Sequence, residues 1–214
     1  MKRERDQHDR RSIRLRGYDY ACAGIYFVTV CTQNHAFLFG DVVRGHVVLN
    51  SAGATIKAAL GRLPECIPGT VMDTAVVMPN HVHCLIALTQ GFPGAGVLPH
   101  RDDDIPRPKH ADNLVSLSDV MMRFKSFTTH LYGEKVRQGE IPPFRGRLWQ
   151  RDYFEHIVRS SGSLQRFREY IKTNPERWST DRSNPQRTDD DPLDLWLDTL
   201  GGNEDGRAQR PAPT

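Results

Sequence analysis

The clearest hydrophobic pattern in the chain is Ile25-Tyr26-Phe27-Val28-Thr29-Val30-Cys31-Thr32, an aromatic and β-branched run of strand length. Val71–Met78 and His81–Leu88 read as two further strands, and Pro79-Asn80 between them is a tight turn that makes them neighbours. Ala36–Phe39 and His46–Leu49 predict a short hairpin around Gly40 and Gly45. Asn50 or Ser51 can cap a helix that runs to about Leu63 and stops at Pro64. Further on the apolar spacing changes to three- and four-residue steps. Leu117, Val120, Met121, Phe124, Phe127 and Leu131 predict an amphipathic helix over Ser116–Tyr132, with Arg123, Lys125 and His130 off its apolar stripe. Asp152–Arg159 reads as a short helix. Ser163 reads as the cap of a last one, with Leu164, Phe167 and Ile171 buried; it ends at Pro175, because the residue before a proline is pushed out of the α region.

Strand, helix, strand, strand, helix and trailing helices predict an α+β, ferredoxin-like fold. This is an antiparallel sheet of four to five strands with helices on one face, plus a C-terminal helix. Residues 1–20 form a basic arm and 21–180 the folded domain. Within that domain, Gly91, Pro93, Gly94, Gly96, Pro99, Pro106 and Pro108 mark 91–112 as a flexible loop. Residues 181–214 are polar, acidic and punctuated by Pro and Gly, and are expected to be disordered, with Leu193–Leu200 as a candidate short docking helix.

Charge changes the picture more than composition does. Charged residues make up 26% and hydrophobic ones 38%, the balance of a water-soluble globular chain. No apolar run is long enough to span a bilayer, and Met1-Lys2-Arg3-Glu4-Arg5-Asp6 leads into more charge instead of a signal-peptide core, so the expected location is the cytoplasm. Cys22, Cys31, Cys66 and Cys84 show no paired spacing and are expected to be reduced and mostly buried. The net charge of +3 is unevenly distributed. Residues 189–214 carry −5, leaving +8 for residues 1–188, and Arg10, Arg11, Arg14 and Arg16 crowd the arm. A basic body with an acidic tail points to a polyanionic partner.

The chemistry gathers in two places. His81 and His83 flank Val82 on a predicted strand, so both imidazoles point to one face and can bind one metal ion. On the last helix Tyr170 and Asn174 lie one turn apart, with Arg166 a turn earlier. A phenol is a usable nucleophile once activated, although its ordinary pKa of about 10 means that it needs help at neutral pH. A metal ion would give that help, and the Asn174 amide oxygen is the expected third ligand. Tyr153 is the rival nucleophile; its pairing with Phe154 suits packing or base stacking.

His81-Val82-His83 resembles the His-hydrophobic-His (HUH) motif of single-strand DNA endonucleases. Met78-Pro79-Asn80-His81-Val82-His83, Tyr26–Thr32, Phe124-Lys125-Ser126, Trp149–Ile157 and Tyr170-Ile171-Lys172-Thr173-Asn174-Pro175 resemble the REP-associated tyrosine transposases, relatives of the insertion-sequence-200 type. The resemblance runs from about residue 10 to residue 180. It implies a ferredoxin-like fold and a divalent ion, Mg²⁺ or Mn²⁺, held by His81 and His83. It implies Tyr170 as the nucleophile and Asn174 in the metal-assisting position. The expected partner is single-stranded, hairpin-forming DNA of repetitive palindromic elements, with no membrane, bound by a monomer or a homodimer. Arg10, Arg11, Arg14, Arg16, Arg123, Lys125, Arg151 and Arg166 are the expected nucleic-acid contacts. Two other classes remain open: a non-catalytic module binding structured nucleic acid, and a metal-dependent hydrolase of small molecules, which would leave the +8 body without a role.

Overall fold

The computed structural model describes residues 23–89 and 115–200. The arm with Arg10, Arg11, Arg14 and Arg16, the loop 91–112, Cys22 and residues 201–214 lie outside the described residues.

The elements are β1 (Gly24–Cys31), β2 (Gly40–Val43), β3 (His46–Leu49), α1 (Ser51–Gly61), α2 (Leu63–Cys66), β4 (Thr70–Val77), β5 (His81–Leu88), α3 (Leu117–Arg137), β6 (Phe154–Val158), α4 (Ser161–Thr173), a 3-10 segment (Asn174–Thr180) and α5 (Pro192–Leu200). The main sheet has the order β4-β5-β1-β6, antiparallel throughout. With α1 crossing from β1 to β4 and α3 from β5 to β6, this is the ferredoxin-like order that the sequence predicts. The β2–β3 hairpin and α2 are insertions in it.

Strand alternation sorts the interior into two cores. Tyr26, Val28, Val30, Val82, Cys84 and Ile86 point towards α1 and α3, where they meet Ile56, Leu60, Val120, Met121 and Phe124. Ile25, Phe27, Leu85 and Ala87 point the other way. There α4 covers them with Leu164, Phe167, Tyr170 and Ile171, and α5 adds Leu193 and Leu197. The two crossing helices thus share one face, and the C-terminal helices close the other. The register sets the site: Cys31 stands opposite His81 and Thr29 opposite His83, so both histidines join the Phe27 face beneath α4.

Four expectations change. Residues 152–159 are not helical; Phe154–Val158 pairs with β1, because hydrogen bonding to a sheet edge outweighs a weak helical pattern. The hairpin pairs Gly40–Val43, not Ala36–Phe39, with His46–Leu49, and turns at Arg44-Gly45, both at positive φ. α4 is capped by the Ser160 hydroxyl, which accepts from the Ser163 backbone N–H, three residues before the expected cap. The acidic tail expected to be disordered is ordered as far as α5, which falls on the candidate docking helix Leu193–Leu200. Cys66 is exposed, while Cys84 is buried.

His156 on β6 lies buried against the Phe167 ring. Burial, reinforced by Arg159, pushes its pKa from 6.5 down to about 4. Between those pH values the unfolded chain holds a proton that the folded chain does not. Stability is therefore full above pH 6.5 and falls as the pH drops towards 4. His156→Leu should reduce the loss of stability between pH 7 and pH 5 by about 2 kcal/mol relative to the unmutated protein, read from urea midpoints. An equal loss in both proteins would remove His156 as its source.

Candidate active site and metal centre

Three ligand atoms converge between β5 and the chain that follows α4. The Nε2 atoms of His81 and His83 are 2.9 Å apart, and Asp181 Oδ2 lies 3.5 Å from the first and 3.3 Å from the second. All three side chains are buried. Around a divalent ion with bonds of roughly 2.0–2.2 Å, neighbouring ligand atoms stand about 3–3.5 Å apart, so the cluster is geometrically suited to chelate one.

The surrounding contacts prepare these atoms for that task. His81 Nδ1 faces Asn80 Oδ1 at 2.8 Å. Asn80 directs its Nδ2 to the carbonyls of Ser183 and His35, which leaves Oδ1 as an acceptor and puts the His81 proton on Nδ1. His83 Nδ1 is held by the Thr29 hydroxyl, also at 2.8 Å. Both Nε2 atoms are thereby turned to the shared point, as in metal sites whose ligating imidazoles are fixed through the other nitrogen. Burial and the neighbouring His81 push the His83 pKa down to about 4 against the pull of Asp181, so the ring stays neutral near pH 7 and can ligate. Burial raises the Asp181 carboxyl, but the two imidazoles outweigh it and hold the group well below the usual carboxylate range.

Asn174 stands behind Asp181. Its Nδ2 donates to Asp181 Oδ2 at 2.6 Å, and its Oδ1 makes no hydrogen bond. The amide oxygen expected as a third ligand is thus left unpaired, and the Asp181 carboxylate is a further ligand-type atom beside the two histidines.

The Tyr170 hydroxyl is 3.5 Å from His83 Nε2 and donates to Asp191 Oδ2 at 2.9 Å. Burial first, then the Asp181 and Asp191 carboxylates, raise the phenol pKa well above 10. Tyr153 lies elsewhere. It packs against the α1/α3 core, with the Lys125 ammonium 5.2 Å from its ring centre, so the sheet separates it from the histidines.

The cationic residues divide. Arg123 and Arg151 are exposed. Arg166 is exposed and stacks over Trp196 of α5 at 5.3 Å. Lys125 gives its three N–H groups to the carbonyls of Gln150, Arg151 and Asp152, and burial lowers its pKa to about 8. Those three bonds tie the ammonium to the backbone at 150–152.

Sequence reasoning missed Asp181 and Asp191, both inside the acidic tail. The available signal was a carboxylate just seven residues after Asn174, following a proline that ends the helix and turns the chain back.

No protein-family model matches the chain. It is 32% identical over 175 residues to an uncharacterized protein of Haemophilus influenzae, covering 82% of this chain and 93% of that one. The chain belongs to the same family as that protein. Among solved structures, the fold is similar to a REP-associated tyrosine transposase bound to a REP hairpin, at 20% identity and a TM-score of 0.48, over 75% of this chain and 72% of that one. It is also similar to a Deinococcus radiodurans protein provisionally described as a transposase, at 17% identity and a TM-score of 0.42, over 74% and 94% of the two chains. Among the described residues no helix is long and apolar enough to cross a membrane.

If the cluster holds a metal, Asp181→Ala and His83→Ala should each lower Mn²⁺ affinity about 10–100-fold or more in isothermal titration near neutral pH. Unchanged affinity in Asp181→Ala would take the carboxylate out of the ligand set.

Proposed function

We propose that this protein is a HUH-type tyrosine transposase: a metal-dependent single-strand DNA endonuclease and strand transferase acting on hairpin-forming repeat DNA. The observation that carries the reading is the Tyr170 hydroxyl beside the His81, His83 and Asp181 ligand atoms, 3.5 Å from His83 Nε2. A phenol at the edge of a metal-binding cluster is what attack on a phosphodiester needs.

His81, His83 and Asp181 would hold Mg²⁺ or Mn²⁺, with Asn174 orienting the carboxylate. When bound, the ion supplies charge neutralisation for the phosphate oxygens and favours the phenolate. The two imidazoles and one carboxylate suit Mn²⁺ well, since carboxylate and water are its preferred partners and imidazole is tolerated. Tyr170 Oη forms a bond to phosphorus as the bond to the 3′ oxygen breaks. The phenol proton ends on that oxygen, giving a 5′-phosphotyrosine link and a free 3′-hydroxyl. The ester energy is retained, so attack by another 3′-hydroxyl reverses the step without a nucleotide cofactor. What the protein supplies is alignment and neutralisation.

The arrangement described here is a closed one. His81, His83 and Asn174 are fully buried, and Tyr170 is only 5% exposed. A DNA strand reaches them only if the chain from Arg182 to α5 lifts, which would also release the phenol from Asp191.

Tyr170→Phe removes one oxygen and keeps the ring, so folding and DNA affinity should survive while covalent adduct formation and cleavage are lost. Tyr153→Phe should still form the adduct. His81→Ala or His83→Ala should abolish cleavage with hairpin binding within a few-fold, because most affinity comes from phosphate contacts elsewhere. The assay is denaturing electrophoresis of end-labelled single-stranded hairpin DNA incubated with each protein and Mg²⁺ or Mn²⁺. An adduct that persists in Tyr170→Phe and disappears in Tyr153→Phe would overturn the assignment of the nucleophile. No adduct with the unmutated protein on any hairpin would favour the non-catalytic nucleic-acid-binding module.

A further inference from the structure

An open depression of about 500 Å³ lies off the end of β1, lined by Gln33, Arg145, Gly146, Arg147, Gln150 and Arg151. Resting on the DNA reading above, we propose that this depression is a phosphate-binding track for single-stranded DNA, with Arg145, Arg147 and Arg151 gripping the backbone next to the His81 end of the sheet.

Three observations carry it. The first is the charge. All three arginines are exposed, and among the described residues none makes an ion pair. Other arginines of the fold are engaged: Arg168 holds Asp73 through two bonds, and Arg182 holds Asp194. Three unneutralised guanidiniums around one concavity repel one another and favour an anion that can bridge them. Guanidinium forks match phosphate oxygens two at a time.

The second is rigidity. The segment carrying the arginines is pinned to the sheet. Gln33 N–H donates to the Leu148 carbonyl and Gln150 N–H to the Cys31 carbonyl, both at 2.9 Å, and Thr32 bridges Trp149. Leu148 and Trp149 are buried, and the Trp149 indole N–H donates to the Thr128 hydroxyl. Lys125 ties down the next three carbonyls and so fixes the backbone that presents Arg151. A preformed surface loses less entropy when a strand binds.

The third is position. Cys31 pairs with His81, Thr32 N–H donates to the Asn80 carbonyl, and Gln33 follows directly. The depression therefore opens at the edge where the sheet presents its first histidine. The Gln33 and Gln150 amides add donors and acceptors for sugar or base edges.

The test is equilibrium binding, read by fluorescence anisotropy, of the full chain to a labelled single-stranded hairpin oligonucleotide in EDTA, between 50 and 200 mM salt. Metal and chemistry are then out of the measurement. R145Q/R147Q/R151Q should weaken binding at least tenfold and reduce the slope of log affinity against log salt by about 2, roughly 0.7 for each lost phosphate contact on a single strand. R145K/R147K/R151K keeps the charge and should recover most of the slope. R44Q/R62Q/R137Q removes the same charge from exposed positions elsewhere and should change both quantities little. An unchanged slope in the groove variant, equal losses in the two Gln variants, or no recovery with Lys would each overturn the track. Absence of binding by the unmutated protein would overturn the DNA reading itself.

Discussion

Two imidazoles and a carboxylate share one dry point, and most of the C-terminal third of the chain is arranged around it. Burying a carboxylate is costly unless it is paired and hydrogen-bonded. Asp181 meets that demand with His81 and His83 through Oδ2, with Asn174 through the same oxygen, and with the Ser183 backbone N–H through Oδ1. Each partner is itself fixed. Asn80 holds His81 and donates through Nδ2 to the Ser183 carbonyl of the returning chain, and Thr29 holds His83 from the neighbouring strand. Phe27 stacks on His83 from one side and Trp178 lies parallel to His81 at 6.0 Å. Loss of any one group leaves a buried polar atom without its partner, so the cluster is a structural as well as a chemical centre.

The same cluster explains why the acidic tail folds. Once Asp181 is anchored, Arg182 reaches the Phe154 ring at 4.1 Å and Asp194 at 3.0 Å. Asp191 then accepts the backbone N–H groups of Arg182 and Leu193 and the Tyr170 hydroxyl. Leu193 and Leu197 seat α5 on the apolar face of α4. A segment whose composition alone argues for disorder is ordered by a few charge-assisted contacts and two buried leucines, on a surface that only the folded domain provides.

Much of the fold was legible because it depends on local periodicity. β5 matched its predicted bounds, α3 began within one residue of its predicted start, and the antiparallel α+β class followed from the sequence of elements. β6 was not legible, because five residues paired to a sheet edge carry too short a pattern to reveal a partner distant in sequence. In the site, His81, His83 and Tyr170 could be placed from strand and helix phase. Asp181 could not, since its position depends on how the chain turns after Pro175. Helix phase put Asn174 on the side of the cluster, but its Nδ2 contact to Asp181 could not be read in advance, because phase gives a direction and not what stands opposite.

The contacts of the tail also act on the Tyr170 phenol. While Asp191 accepts the Tyr170 proton and the phenol is buried, ionisation is opposed by burial and by two carboxylates. Withdrawing the segment from Arg182 to α5 removes the cover and Asp191, together with the Arg182 charge that favours the phenolate, and leaves Asp181 in the ligand cluster, where a bound cation would reverse its effect. On the proposed function, access for a strand and activation of the phenol are therefore coupled by geometry. The packing that covers Tyr170 is also the packing that keeps its hydroxyl protonated.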